Sequence, residues 1–213
     1  MTNSTLFLFV RHGQAEGNVS DLVLGTQESP LTDLGRKQAL ERTTAIKHLN
    51  LIAVYSSDLN RALETATIIG NEVRVVPIID RLLRERFVGD ALQGRTNEEV
   101  KLLLTDEYQR LQGMRLADQL DYRYSMAPDA ETPREAVDRL LLFMTKRSLQ
   151  YHDSDGPIVC VTHGAILGNF LALFGKIRFE GIFGAAAIGN AEVCAVTFDR
   201  STNEIVDITL NLS

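Results

Sequence analysis

The stretch LFLFVRHGQAEGN at residues 6–18 begins with five apolar residues and then passes at once to an arginine, a histidine and a glycine. A continuous apolar run of this length, closed by polar and turn residues, predicts a β-strand that is buried on both faces. Arg11 and His12 follow where that strand leaves the sheet. Open α/β sheets bind ligands just beyond the carboxyl ends of their strands, so these two side chains are the first candidates for a functional site.

Strands and helices alternate through most of the remaining chain. Hydrophobic patterns predict strands at 5–10, 51–55, 73–79, 158–161, 193–198 and 205–210. Predicted helices begin near Thr32, after 56–58, and at Thr96, Thr132 and Ile166. The alternation predicts an α/β protein with three layers, in which helices cover both faces of a doubly wound, mostly parallel sheet. The terminal hairpin, with its turn at 199–203, contributes one antiparallel strand.

Local signals set the expected ends of several elements. Residues 56–58 (Ser-Ser-Asp) supply N-cap candidates for the helix after the second strand, and Gly70 is expected to stop that helix. Pro77 interrupts the third strand and places it at a sheet edge. Thr96 with Glu99 predicts a capping box.

The composition is that of an ordinary globular protein, with 45% hydrophobic and 23% charged residues and a net charge of −6. The negative charge argues against a nucleic acid or a membrane surface as partner. No segment approaches the length of a membrane span. We therefore expect a single domain over residues 1–213, located in the cytoplasm, with residues 105–131 as a lid or side wall. A homodimer is left open.

The two cysteines, Cys160 and Cys194, both lie inside apolar, strand-like runs. Buried reduced thiols are the expected state, with a disulfide between neighbouring strands as the less favoured alternative. Reduced thiols accord with the expected cytoplasmic location.

Two predicted strands end in the same way, because VRHG at 10–13 is matched by VTHG at 161–164. In a parallel sheet both histidines project from the same edge. Arg61 falls in the first turn of a helix that starts near that edge, and Glu85 follows the third strand. Two histidines, two arginines and a carboxylate are therefore expected to converge.

Such a cluster fits phosphoryl chemistry. A neutral imidazole can attack phosphorus, and two guanidinium groups match the charge on the oxygens of a transferring phosphoryl group. A protonated second histidine and the amide of Asn18 would add donors. A protonated carboxyl group beside the leaving oxygen acts as general acid and then as the base that activates water. Because the cationic side chains supply the positive charge, no metal and no cofactor is expected.

Each member of the cluster also has an ordinary structural explanation. Arg61 with Glu64 can form a solvated helix face, and Glu85 stands among three arginines, as in a salt-bridged surface turn. His48 and His152, near predicted helix C-termini, are interpreted as surface residues. The joint pattern favours the functional interpretation, because all of the ordinary explanations would have to hold together.

The same residues resemble the signature of a known family. The segment LFVRHG at 8–13, with Asn18, is similar to the signature of the histidine phosphatase superfamily, which includes the cofactor-dependent phosphoglycerate mutases. Further similar motifs follow in the family's order: SPLTDLGRKQA (29–39), YSSDLNRALETA (55–66), LRE (83–85) with Gly89, VTHG (161–164) and Asn190. The resemblance spans nearly the whole chain.

The resemblance implies a phosphoglycerate mutase-like fold and a role for each site residue. It implies that His12 is the phosphorylated nucleophile and that Glu85 is the proton donor. The group implied to bind the substrate phosphate is Arg11, Asn18, Gly25, Arg61, His163 and Gly164.

The chain departs from the family pattern in several places. Gly89 and Gly94 are five residues apart, one more than expected, and Leu-Gln at 92–93 replaces an aromatic-Glu pair. Ala-Glu-Thr at 130–132 replaces Gly-Glu-Ser, and Ala165 replaces a common glycine. These departures fall mostly on the expected substrate-facing wall, so they affect specificity rather than phosphoryl chemistry.

Three functions are weighed. The favoured one is a phosphomonoesterase that acts on a small phosphorylated metabolite, with water attacking phosphorylated His12. A 2,3-bisphosphoglycerate-dependent phosphoglycerate mutase is the alternative, but the paired arginines and proline-rich stretch expected near 115–128 are not matched. A non-catalytic phosphate-binding regulatory protein is the third, and it has no need of a proton donor such as Glu85.

Overall fold

A computed structural model describes residues 3–151, 156–179 and 188–210. Its strands are β1 (Ser4–Arg11), β2 (Ala53–Ser56), β3 (Ile78–Ile79), β4 (Ile158–Thr162), β5 (Val193–Asp199) and β6 (Glu204–Leu210). Its helices are α1 (Glu16–Val19), α2 (Asp33–Ile46), α3 (Asn60–Val73), α4 (Asn97–Leu103), α5 (Thr105–Gln112), α6 (Leu116–Leu120), α7 (Pro133–Ser148) and α8 (Gly164–Leu173).

The six strands form one sheet in the order β3-β2-β4-β1-β5-β6. Strands β1 to β4 are mutually parallel, and β5 pairs antiparallel with both β1 and β6. Strand β6 therefore runs in the direction of β1, and β5 is the one opposed strand. The predicted doubly wound, mostly parallel sheet with one antiparallel strand is confirmed.

The central position of β1 explains its continuous apolar run. Phe7 and Phe9 pack on one face against Phe143 of α7 and Phe170 of α8, with ring centroids 6.1 Å (Phe7–Phe143) and 6.3 Å (Phe9–Phe170) apart. The other face of the sheet packs against α2 and α3 through a second apolar cluster that includes Leu8, Val10, Ile46, Ala62 and Ile69. Burial of each such large side chain contributes roughly 1.5–3 kcal/mol, and two covered faces make the three layers.

Several predicted helix starts are confirmed by their caps. The side-chain oxygens of Thr32, Thr96 and Thr132 each accept a hydrogen bond from the backbone N–H three residues later. Glu99 returns a bond to Thr96 N, which completes the predicted capping box. These local signals are legible in the sequence because the cap and its partner lie within one turn.

The two predicted ends of α3 are wrong. Its N-cap is Leu59, while Ser57 lies in the preceding turn and accepts a hydrogen bond from Leu59 N through its Oγ. The helix also continues past Gly70 to Val73 and ends at Arg74, whose φ is +61°. A Cβ on Gly70 would lie 2.3 Å from the carbonyl oxygen of Val75, so this glycine permits a close chain approach rather than a helix stop.

Further outcomes concern β3, the helices that were not predicted, and the histidines interpreted as surface residues. Strand β3 is shorter than predicted, at two residues, and it lies at the sheet edge as Pro77 indicates. The short helix α1 lies where no helix was predicted, and α5 and α6 fall within 105–131. His48 is exposed, as predicted, and His152 lies outside the described residues.

Both thiols are buried and free. Cys160 and Cys194 stand on β4 and β5, and both are in register with Phe9 of the strand between them. The intervening strand rules out the alternative of a disulfide between neighbouring strands. Burial raises the pKa of Cys194 to about 12 and also raises that of Cys160.

No helix within the described ranges has the length and apolar character needed to cross a membrane.

Candidate active site

The two histidines that follow parallel strands meet at one edge of the sheet. Strands β1 and β4 are neighbours, and His12 N donates to the carbonyl oxygen of Thr162 over 3.0 Å. The ring centroids of His12 and His163 lie 5.2 Å apart at an interplanar angle of 61°. The convergence expected from the matching strand ends is therefore present.

Hydrogen bonds define the tautomer of His12. Its Nδ1 lies 2.7 Å from the carbonyl oxygen of Gly13, which can only accept, so Nδ1 carries the proton. Its Nε2 accepts from Nε of Arg61 at 3.2 Å, so the lone pair is on Nε2. Burial, followed by the charges of Arg61 and Arg11, holds the pKa of His12 well below 6.5. The ring is neutral, and its unprotonated nitrogen, Nε2, faces the guanidinium group of Arg61.

Arg61 is almost completely buried, and its guanidinium group is held by backbone carbonyls. Nη1 donates to Gln27 O at 2.6 Å, and Nη2 donates to Gly25 O at 2.8 Å. Burial lowers the pKa of Arg61 to about 10, so it keeps its charge at neutral pH. The position of the cation therefore depends on the loop that carries Gly25 and Gln27.

Hydrogen bonds connect that loop to residues 93–97. Gln93 Oε1 accepts from Thr26 N at 2.7 Å and from Thr26 Oγ1 at 2.9 Å. Gly94 N donates to Val23 O at 2.9 Å, and Asn97 Nδ2 donates to a carboxylate oxygen of Asp21 at 2.6 Å. Residues 21–27 and 93–97 thus form one wall beside Arg61.

Glu85 is held by the N-terminus of α8. Its Oε1 accepts from Ile166 N and Arg86 N at 2.9 and 2.8 Å, and its Oε2 accepts from Ala165 N at 2.9 Å. Backbone N–H groups at a helix N-terminus are unpaired within the helix and favour an oxygen ligand. Oε2 accepts one of these three bonds and Oε1 accepts two, so the carboxyl group is held in one orientation.

His163 is the N-cap residue of α8 and is fully buried. Neither of its ring nitrogens has a hydrogen-bond partner among the described residues. Burial and the nearby Arg61 lower the pKa of His163 well below 6.5. In this structure the ring is therefore neutral and offers one N–H donor, whereas a protonated ring was expected from the sequence. Such a buried, unpartnered ring indicates a polar ligand beside it.

Arg11 and Asn18 complete the polar rim. Arg11 Nη1 donates to Ile188 O at 2.6 Å, and the charges of Glu85 and Glu192 act on its guanidinium group. Asn18 Oδ1 accepts from Ala15 N at 3.0 Å, which leaves the Nδ2 group as the donor of that side chain.

All eight predicted site positions border one cavity or touch a residue that does. The cavity has a volume of about 410 Å³ and is lined by Arg11, His12, Asn18, Asp21, Leu22, Val23, Leu24, Gly25, Arg61, Glu85, Val88, Asn97, Lys101, Gly164, Ala165 and Asn190. His163 is the one predicted residue outside this lining, and its ring packs against that of His12. Gly25 contributes its carbonyl oxygen to Arg61, which positions the cation.

Sequence reasoning missed the outer wall of the cavity. Asp21, Asn97 and Lys101 line it, yet nothing in their sequence context marks them. The spacing of Asn97 and Lys101 by four residues places them on one face of α4, a signal that is informative only once the orientation of α4 is known. Among the described residues, no group of three or more histidine, cysteine, aspartate or glutamate side chains is arranged to hold a metal ion.

A doubly wound α/β sheet with two histidines and two arginines at its carboxyl edge defines a class of phosphate-handling enzymes. The family model of the histidine phosphatase superfamily (branch 1) matches residues 7–211. The chain belongs to this superfamily, and the sequence prediction of a histidine phosphatase-type phosphoric monoester hydrolase is confirmed at the level of the family.

Individual relatives agree with this assignment. The chain is 34% identical over 190 residues to glucosyl-3-phosphoglycerate phosphatase of Mycolicibacterium vanbaalenii, covering 86% of this chain and 80% of that protein. It is similar to a solved mycobacterial glucosyl-3-phosphoglycerate phosphatase complexed with VO3, with 27% identity, a TM-score of 0.70 and coverage of 90% and 92%. The fold is shared with a phosphoglycerate mutase from Bacillus anthracis, with 20% identity, a TM-score of 0.81 and coverage of 99% and 92%.

Proposed function

We propose that this protein hydrolyses the phosphate monoester of a small phosphorylated metabolite through a phosphohistidine intermediate on His12. The observation that carries this proposal is the tautomer of His12, whose Nε2 lone pair meets a buried guanidinium group while Nδ1 is bound to Gly13 O. A neutral nucleophile beside fixed positive charge is suited to attack a phosphate dianion.

In the first step, Nε2 of His12 forms a bond to phosphorus as the bond from phosphorus to the ester oxygen breaks. The negative charge on the transferring oxygens is stabilised by Arg11 and Arg61, with N–H donors from His163, Asn18 and Gly164. Glu85 delivers its proton to the leaving oxygen, so the alcohol departs neutral.

In the second step, the carboxylate of Glu85 takes a proton from water as that water attacks phosphorus. The bond between phosphorus and Nε2 breaks, and His12 returns to its neutral tautomer. The hydrogen bond from Nδ1 to Gly13 O persists through both steps, so the ring does not need to turn. The reaction requires no further reactant.

The positions of Arg115 and Arg123 favour hydrolysis over the mutase reaction. A mutase must hold a sugar acid with two anionic groups, a carboxylate and a phosphate, while that acid is rephosphorylated. Arg115 and Arg123 do not line the cavity, and they pair instead with Asp118 and Glu135 at the surface. A non-catalytic phosphate binder is disfavoured because it has no use for the Glu85 carboxylate among its ligands.

The outer wall supports a phosphorylated sugar or sugar derivative as substrate. Asp21, Asn97 and Lys101 offer both acceptors and donors to the hydroxyl groups of a leaving alcohol, while Val88 and Leu24 supply apolar contact. Relatives named as glucosyl-3-phosphoglycerate phosphatases point in the same direction.

We also propose that residues 1–213 form a single domain in the cytoplasm, with 105–131 as a side wall. Segment 105–131 contributes to a small apolar cluster of its own, which includes Val88, Leu92, Val100, Leu104, Leu111, Tyr124 and Ala127. Since Val88 also lines the cavity, this cluster supports the wall of the site. A homodimer remains an open proposal, to be tested by light scattering.

A panel of phosphorylated sugars and sugar acids, assayed for phosphate release alongside a mutase assay, tests the proposal. We expect release from at least one phosphorylated sugar, with no mutase product. Transfer of phosphate between positions of a sugar acid, without release, would identify the mutase instead. Binding without either reaction would identify the regulatory protein.

A further inference from the structure

The segment that carries Glu85 is enclosed by one arginine of α7. Arg139 Nη1 donates to the carbonyl oxygens of Leu82 and Arg84, both at 2.9 Å, and Nη2 reaches Glu85 O at 3.4 Å. Three carbonyls around the proton donor are thus bound by a single guanidinium group. Thr162 Oγ1 binds the remaining carbonyl of the turn, that of Leu83, at 2.7 Å.

The carboxylate of Glu131 completes this arrangement. Glu131 accepts from Nε and Nη2 of Arg139 at 3.0 and 2.9 Å, in the bidentate geometry that gives the strongest ion pairs. Glu131 Oε2 also accepts from Phe87 N at 3.0 Å, and Glu131 N donates to Phe87 O at 2.9 Å. Arg139 and Glu131 together therefore bind the chain on both sides of Glu85.

Neither residue is among those that line the cavity, so the pair is placed to act through Glu85 rather than on the substrate. The side chains of Arg139 and Glu131 are 17% and 28% exposed, which shields the pair from solvent screening more than a surface ion pair. Glu131 is the unchanged middle residue of the Ala-Glu-Thr segment at 130–132, and it has no place in the reaction steps above.

We infer that Arg139 and Glu131 are positioning residues that hold Glu85 in line with the leaving oxygen. The α8 N-terminus binds the carboxylate itself, and the Arg139–Glu131 pair fixes the backbone from which that carboxylate extends. The inference rests on the proposed function, because it assigns a support to the general acid of that reaction. It adds no chemical step.

The test compares two substrates with different leaving groups. Values of kcat/KM report steps up to departure of the alcohol, which needs a proton when the alcohol is an alkyl sugar and not when it is p-nitrophenol. For Arg139→Gln we expect a loss of about 10- to 100-fold with a sugar phosphate and less than about 3-fold with p-nitrophenyl phosphate, because general acids contribute about 10²–10⁴.

Arg134→Gln is the matched control, since Arg134 also lies on α7 and pairs with a carboxylate, Asp121, at the surface. We expect both of its kcat/KM values to stay at the wild-type level. Arg139→Lys keeps the charge but cannot bind three carbonyls and a carboxylate at once. We expect Arg139→Lys to lose more kcat/KM with the sugar phosphate than with p-nitrophenyl phosphate, but less than Arg139→Gln does. It replaces Arg139→Gln in the test if that variant does not fold.

Glu131→Gln keeps an acceptor for Phe87 N but lacks the ion pair, and it is expected to resemble Arg139→Lys. Combining it with Arg139→Gln should add little further loss if the two residues act as a unit. Equal losses on both substrates, or losses that follow the fall in Tm, would overturn the inference. Absence of phosphate release by wild type, or no skew in Glu85→Gln, would instead count against the proposed function.

Discussion

Nε of Arg61 donates a hydrogen bond to Nε2 of His12 across 3.2 Å. The contact assigns the ring lone pair to Nε2 and places a buried cation beside it. Because the guanidinium group is itself fixed by Gly25 O and Gln27 O, His12, the proposed nucleophile, and its cationic partner are oriented before any substrate binds.

Replacing Arg61 with lysine should reduce kcat/KM by about 10²–10³, because an ammonium group cannot serve two carbonyls, His12 and a phosphate oxygen together. The change is measured with a sugar phosphate and with an aryl phosphate, and both should lose alike, since the cation stabilises the phosphoryl group in either case. Arg36→Lys at an exposed ion pair is the control. Loss on one substrate only would contradict this role.

The acid stability of the protein should depend on the buried histidines His12 and His163. Their folded-state pKa values lie well below 6.5, so below that pH the unfolded chain binds more protons than the folded one. The free energy of unfolding should therefore fall as pH drops below about 6.5, by up to about 1.4 kcal/mol per pH unit for each ring.

Urea denaturation between pH 7 and pH 5 measures this slope. His163→Asn should make it shallower, whereas the same change at exposed His48 should leave it as it is. If His163→Asn leaves the dependence of unfolding free energy on pH unchanged, other groups must cause the loss of stability at acidic pH.

Gly35→Ala should destabilise the protein although alanine favours helices. A Cβ at Gly35 would lie 2.1 Å from the carbonyl oxygen of Gln14, in the loop that follows His12. Overpacking of this kind costs about 1–3 kcal/mol, and the displaced loop should also lower activity. Gly113→Ala is the control, because its nearest neighbouring atom would be 3.7 Å away. Thermal melts and phosphate release report the two effects, and wild-type values for both would refute the close-packing argument.

Activity should survive a chelator. The positive charge that phosphoryl transfer needs is supplied by Arg11 and Arg61, whose guanidinium groups match phosphate geometry. We expect unchanged phosphate release after dialysis against EDTA. A loss that added Mg²⁺ or Zn²⁺ restores would reveal a metal dependence that this assignment does not include.

The sequence predicted which polar side chains converge better than it predicted the contacts that hold them in place. His12 and His163 could be paired because each follows an apolar run, and parallel strands bring such ends to one edge. The protonation of His163 could not be predicted, since it depends on burial and on the distance to Arg61.

The supports are long-range contacts with no local pattern. The carbonyls that hold Arg61 come from a loop whose position is set by Gln93 and Asn97, about seventy residues further along the chain. Gly70 was misinterpreted for a similar reason. A glycine in a helical pattern is typical both of a helix end and of a close approach by another part of the chain, and the sequence does not distinguish the two. Caps such as Thr96 were predictable because both partners lie within one turn.

The most direct test of the account is the site of covalent phosphate during turnover. Wild-type protein is mixed with a sugar phosphate, quenched in alkali within the first turnover, and analysed by peptide mass spectrometry and ³¹P NMR. We predict one acid-labile phosphoryl group on Nε2 of His12, and none in His12→Ala, which should also lack hydrolysis. A phosphoryl group on any other residue, or continued hydrolysis by His12→Ala, would contradict the central claim.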